Sequence, residues 1–136
     1  HAGIGRGMKV SKEAMAGLWV ALDLFGRTDH EAEYRVHLAQ AERIVASLAS
    51  RSDLVCTLES DWEDWPAPVV WVRPVGNAWQ PNDVVAALAA GDPSVYVSGH
   101  PGRFQISTHG LLPGDELIFV DQLSMILETG LSQAKD

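Results

Sequence analysis

The chain has 136 residues, ten Lys+Arg against eighteen Asp+Glu for a formal net charge of −8, and 46% apolar residues. That suits one soluble domain with a real hydrophobic core. The acidic balance argues against a general electrostatic footprint for nucleic acid, no apolar run approaches the ~20 residues of a membrane span, and the lone Cys56 leaves no internal disulfide. The start lacks the apolar core of a signal peptide, so a cytoplasmic location is expected.

Residues 1–10, HAGIGRGMKV, read as a loop carrying three glycines and two cations, Arg6 and Lys9. With nothing ahead of it to connect, it reads as the middle of something larger. An anion between Arg6 and Lys9 would meet a planar fork and a point charge together; two exposed cations on a surface loop are the plainer alternative. Ser11 is a good N-cap for a first helix, with Glu13 at its positive end. Met15, Leu18, Leu22 and Phe25 recur at helical spacing, and Gly26 is expected to stop it. Thr28 and Glu31 form a capping-box pattern for a second helix. Its stripe is Tyr34, Leu38, Ala41, Val45 and Leu48, and it is expected to run to about Ser50.

The period then falls to two. Leu54, Cys56 and Leu58 alternate with Val55, Thr57 and Glu59 as in a half-buried strand, and Cys56 reads as a core thiol. DWEDW (residues 61–65) reads as a loop with aromatic packing. Val69–Val72 is a continuous apolar run, expected to be a strand buried on both faces and ended by Pro74. Pro81 starts a short helix closed by Gly91. DPSVYVS (residues 92–98) reads as a third strand, GHPG as a turn, and RFQIST (residues 103–108) as a fourth strand. Asp115 and Glu116 open a last helix with Leu117, Val120, Leu123 and Leu127 on its core face. Residues 131–136 read as a frayed tail.

The resulting order, α-α-β-β-α-β-β-α, predicts an α+β two-layer sandwich: a largely antiparallel four-stranded sheet with helices on one face. Residues 11–130 form the small domain, between the loop at 1–10 and the tail. The usual chemical constellations are missing. The five histidines (His1, His30, His37, His100, His109) are scattered and no Cys/His cluster exists, so no metal is expected. GIGRG lacks the preceding strand and the full spacing of a phosphate-binding loop. No G-x-S-x-G elbow is present.

Three stretches together, HAGIGRGMKVSKEAMAGLWVAL, GDPSVYV and LLPGDELIFVDQL, resemble the C-terminal part of fold-type-I enzymes that use pyridoxal 5′-phosphate (PLP). The family is that of selenocysteine synthase (L-seryl-tRNA(Sec) selenium transferase) and the D-glucosaminate-6-phosphate ammonia-lyase-like proteins. The resemblance covers essentially the whole chain and is most specific in the first stretch. It implies a small C-terminal α/β domain folded back on a large PLP-binding one, with GRGMKV lining the active-site cleft. It implies that Arg6 and Lys9 face the substrate's anionic group; Lys9 fits the lyase-like branch, whereas the synthases often carry Arg there. His109 stands where relatives are often basic, and Arg103 at the start of the fourth strand is a further candidate for a carboxylate contact.

A PLP enzyme needs a lysine amine for its Schiff base and a carboxylate beside the pyridine nitrogen. Lys9, Lys12 and Lys135 are the lysines here, and the resemblance places the cofactor lysine upstream of this stretch. The leading expectation is therefore the C-terminal domain of a PLP-dependent lyase or transferase acting on an amino acid or amino sugar acid. It would be inactive alone, bind no cofactor alone, and be partnered by a missing N-terminal PLP-binding domain within a homo-oligomer. The alternative is a stand-alone, non-enzymatic interaction or ligand-binding module. A tRNA partner is not expected, because no basic stripe with interleaved aromatics exists.

Overall fold

A computed structural model describes residues 10–61 and 67–133. Arg6, Lys9 and most of the DWEDW loop lie outside the described residues. The elements run α1 (Lys12–Arg27), α2 (His30–Leu48), β1 (Leu54–Glu59), β2 (Val69–Pro74), α3 (Pro81–Ala90), β3 (Ser98–His100), β4 (Arg103–Ser107) and α4 (Asp115–Gln133), with a 3-10 turn at Thr108–Gly110 ahead of α4. Contacts divide the chain into residues 1–30 and 31–136.

In the first unit, Ser11 caps α1 as its position suggests: its Oγ accepts from the Ala14 N–H at 3.1 Å. Gly26 does not stop the helix, which continues to Arg27. Thr28 closes α1 instead of opening α2. Its N–H reaches the Phe25 carbonyl at 3.2 Å and its hydroxyl donates to the Leu24 carbonyl at 2.9 Å. The expected capping box is thus not formed by Thr28, which is the C-cap of α1 and does not directly precede α2, since α2 begins at His30. Glu31 pairs with Arg35 at 2.7 Å, one turn along α2. No residue of α1 is buried, so Met15, Leu18, Leu22 and Phe25 are not the core face their spacing predicts.

The second unit is the sandwich. Its sheet has the order β1-β2-β4-β3, and every neighbouring pair is antiparallel. Val70, Val72, Phe104 and Ile106 point to one face and cluster with Ala41, Ile44 and Leu48 of α2, Val84 and Leu88 of α3, and Phe119, Leu123 and Leu127 of α4. Phe104 is central, its ring between those of Trp79 (6.0 Å) and Phe119 (6.4 Å). Val69 through Val72 are all buried, as their unbroken apolar run requires. On α4 the core face is rotated from the expected one: Phe119 is buried and Leu117 exposed. α2 ends at Leu48, and α4 continues to Gln133, into the segment read as a tail.

The third strand is shorter than DPSVYVS suggests, and begins only at Ser98. The reason is competition for the backbone. The Val95 N–H bonds to the Leu88 carbonyl at 2.9 Å, and Ser94 Oγ donates to the Gly91 carbonyl at 3.1 Å, so this segment wraps the end of α3. Val95 and Val97 pack against the core from that wrap. Gly99 and His100, expected in the turn, belong to the strand. Gly91 itself sits close to α4: a Cβ there would lie 2.8 Å from Gln122 Oε1, while Gln122 Nε2 donates to the Asp92 carbonyl at 3.0 Å.

Candidate functional site

The most connected polar group of the second unit lies where α2 meets the segment between β4 and α4. β4 ends by delivering Thr108 into the interior. Its N–H reaches the Pro68 carbonyl at 3.3 Å and its hydroxyl donates to the His37 carbonyl at 3.0 Å, tying β4 to α2. The next residue, His109, is thereby set on the surface with its ring centroid 5.5 Å from that of His37, tilted 56°. His37 Nδ1 lies 3.3 Å from Gln40 Oε1, which only accepts, so the His37 proton sits on Nδ1.

Beneath the two imidazoles the network is buried. Gln40 Nε2 donates to the Leu112 carbonyl at 3.0 Å and to Glu116 Oε2 at 3.2 Å. Arg43 grips Glu116 Oε1 through Nε at 2.9 Å and through a terminal nitrogen at 2.7 Å, and the Gly114 N–H reaches Glu116 Oε2 at 2.9 Å. Burial pushes the Glu116 carboxyl up. Its own backbone N–H, Arg43, Gly114 and Gln40 together outweigh that and hold it below the usual glutamate value, hence ionised. The LLPGDE segment is consequently a fixed ledge, with Leu112 N–H also held by Asp115 at 2.9 Å. The ledge presents the exposed His109 imidazole as the described group able to contact an anion, while His37 Nδ1 is already turned to Gln40.

Beside it, a cleft of about 410 Å³ opens between the 93–98 wrap, β4 and the start of α4. Asp115 lines it with Gln105, Ser107 and Ile118, and no cation does, which disfavours an anionic ligand there. Among the described residues no three His, Cys, Asp or Glu side chains come together as metal ligands, and no helix is long and apolar enough to cross a membrane. Cys56 is on the core face opposite Val72, and burial pushes its thiol up to about 11.

The structure separates the predicted candidates. Arg103 opens β4 and His109 follows its far end, roughly 17 Å along the chain path, so one small anion does not span both. The Arg103 guanidinium lies over the Trp71 ring, 3.6 Å from its centroid. Arg6 and Lys9 lie outside the described residues. Sequence reading missed His37, Gln40, Arg43 and Glu116 as a group. One signal was available: Gln40 falls on the buried stripe with Ala41, Ile44 and Leu48, where a polar side chain has to find a partner.

Comparison with known proteins gives a consistent picture. No family model matches the chain. It is 28% identical to the D-glucosaminate-6-phosphate ammonia lyase of Salmonella typhimurium (strain 14028s / SGSC 2262), over 94% of its own length and 35% of that enzyme's. A solved structure of D-glucosaminate-6-phosphate ammonia-lyase superposes with a TM-score of 0.67 at 26% identity, covering 95% of the chain and 35% of the larger protein. The chain is homologous to a domain of a lyase, spans about a third of the relatives it matches, and has the α+β fold of a small, C-terminal-like domain of that structure.

Proposed function

We propose that this chain serves as the small domain of a PLP-dependent lyase or transferase acting on an amino acid or amino sugar acid, helping to close the active site over the substrate and hold its anionic group. The observation that supports it is the homology spanning nearly the whole chain but a third of a lyase. His109, braced by Thr108 and paired with His37, is the described candidate for the anion contact. Arg6 and Lys9 are expected beside it from the sequence, and Arg103 stands apart.

The described residues do not fit PLP itself. Lys12, the described lysine, is exposed in the first turn of α1. The cofactor therefore belongs to a separate PLP-binding domain, and no chemical step is assigned to this chain. The exposed apolar side chains of α1 fit that partner, and equally favour the second reading, a non-enzymatic interaction module.

A chimera distinguishes them. The matching third of a D-glucosaminate-6-phosphate ammonia-lyase is replaced by this chain. The expected product is a soluble protein that releases ammonia from D-glucosaminate 6-phosphate, with His109→Ala raising KM about tenfold, on the order of one lost charge-assisted contact. A folded, cofactor-loaded chimera with no turnover of this or other amino acid substrates favours the interaction module.

A further inference from the structure

The cleft of about 410 Å³ beside the ledge has walls of one chemical kind. It opens because β3 pairs with β4 only from Ser98↔Gln105 to His100↔Arg103, while the chain before Ser98 turns away to wrap the end of α3. The start of α4 closes the third side. Its polar side chains are Asp115, Gln105 and the hydroxyls of Ser94, Ser98 and Ser107, each able to accept a hydrogen bond, and no Lys, Arg or His lines it. Asp115 is half-buried; its Oδ2 takes the Leu112 N–H at 2.9 Å, and Oδ1 takes no bond from the described residues. The positive end of α4 does not reverse the sign, because its own carboxylates hold the nearby donors: Glu116 takes the Gly114 N–H and Asp115 that of Leu112. Gln105 adds an anomaly. Its Oε1 is buried and has no hydrogen-bond partner, and the indole N–H of its cross-strand neighbour Trp71 is also unpartnered, so the two do not satisfy each other. A buried acceptor without a donor is a rare condition. The last torsion of a glutamine is soft, so a donor entering the cleft can draw that oxygen outward and end its isolation.

We propose that this cleft binds a small organic cation: a primary ammonium group on an apolar or aromatic body, with no carboxylate or phosphate beside it. An ammonium group has three donors and no acceptor, the complement of a wall that offers acceptors. Asp115 supplies the opposite charge, and Gln105 and a serine hydroxyl take the remaining N–H groups. The body of the ligand meets Val97, Ile118 and the ring of Tyr96, which lines the cleft while 82% exposed and is free to lie over a cation. The volume falls within the range of small-molecule sites, roughly 300–1,000 Å³. The net charge of −8 draws cations toward the chain as a whole. A carboxylate or phosphate finds no cationic partner in these walls, so the cleft is not a second seat for the anionic substrate group assigned to His109. This inference does not depend on the lyase reading.

Titration of the purified chain with benzylamine, followed by amide nitrogen–proton correlation NMR, tests it. Saturable binding is expected with a Kd on the order of 1 mM, with the shifted amides confined to residues 93–98, 105–111 and 114–119. Benzyl alcohol, which keeps the ring and loses the charge, and phenylglycine, which adds a carboxylate beside the same amine, are each expected to bind about tenfold more weakly or worse. Asp115→Asn keeps an acceptor for the Leu112 N–H while removing the charge, and is expected to weaken benzylamine about tenfold. Gln105→Leu, which removes the unpartnered oxygen, is expected to weaken it severalfold. The spectra of both variants report folding directly. The proposal is overturned by no saturation up to ~20 mM, a concentration that would fill a site of this affinity. It is overturned equally by benzyl alcohol or phenylglycine binding as tightly as benzylamine, by shifts centred elsewhere in the chain, or by folded variants that both bind as the parent does.

Discussion

Helices α1 and α4 draw on the same side chains and end up in opposite conditions. α4 buries Phe119, Leu123 and Leu127 against β4 and α2, all at 2% exposure or less, whereas α1 leaves Leu18, Trp19, Leu22 and Phe25 between 61 and 77% exposed. A 3.6-residue apolar period states that a face is to be covered and says nothing about what covers it. For α4 the cover is inside the chain, on the sheet built by β2 and β4. For α1 no residue is buried.

If packing is what separates the two helices, the sandwich side of the comparison breaks first. Phe104→Ala, at the centre of the ring cluster, is expected to cost about 3–5 kcal/mol in urea denaturation; a cost below 1 kcal/mol would mean the cluster is not the core described. Next in size is Cys56. With its thiol pushed up to about 11 by burial, maleimide labelling at pH 8 should run on the order of a hundredfold slower in the native chain than in urea. Equal rates would place the thiol at the surface.

Glu116→Gln follows, at about 1.5–3 kcal/mol near neutral pH, because it removes charge-assisted bonds from Arg43 and Gly114. The Glu116 carboxyl is depressed on folding, so its contribution is fully present above the unfolded value of about 4.3 and is lost as pH falls through the lower folded value. The difference between wild type and Glu116→Gln is therefore expected to shrink across that acid window, and a difference constant down to pH 2 would contradict the assignment. Smallest is Trp19→Ala on α1, expected to change the stability of the isolated chain by less than about 0.5 kcal/mol. A loss of 2 kcal/mol there would erase the contrast between the helices.

The parts of the fold legible in the sequence are those decided by local pattern. The run Val69–Val72 announces a central strand because residues of both parities are apolar, and Ser11 announces the start of α1 because its hydroxyl serves a backbone three residues on. The third strand was misjudged where pattern and backbone bonding part company: VYV alternates, but Leu88 and Gly91 hold that stretch against α3. The Gln40–Glu116 contact joins positions 76 apart and leaves no local trace beyond a polar residue on an apolar stripe. His109 was found through likeness to relatives, and its partner His37 only through the fold.

Gly91 shows how finely the second layer is gauged. Its φ of −69° is open to any amino acid, so no torsional argument reserves the site for glycine. What a side chain there would meet is the flexible end of Gln122, whose amide would have to shift while it donates to the Asp92 carbonyl. The missing side chain lets the Gln122 amide lie flat against the end of α3, so that one hydrogen bond to the Asp92 carbonyl links α4 to the start of the wrap that follows.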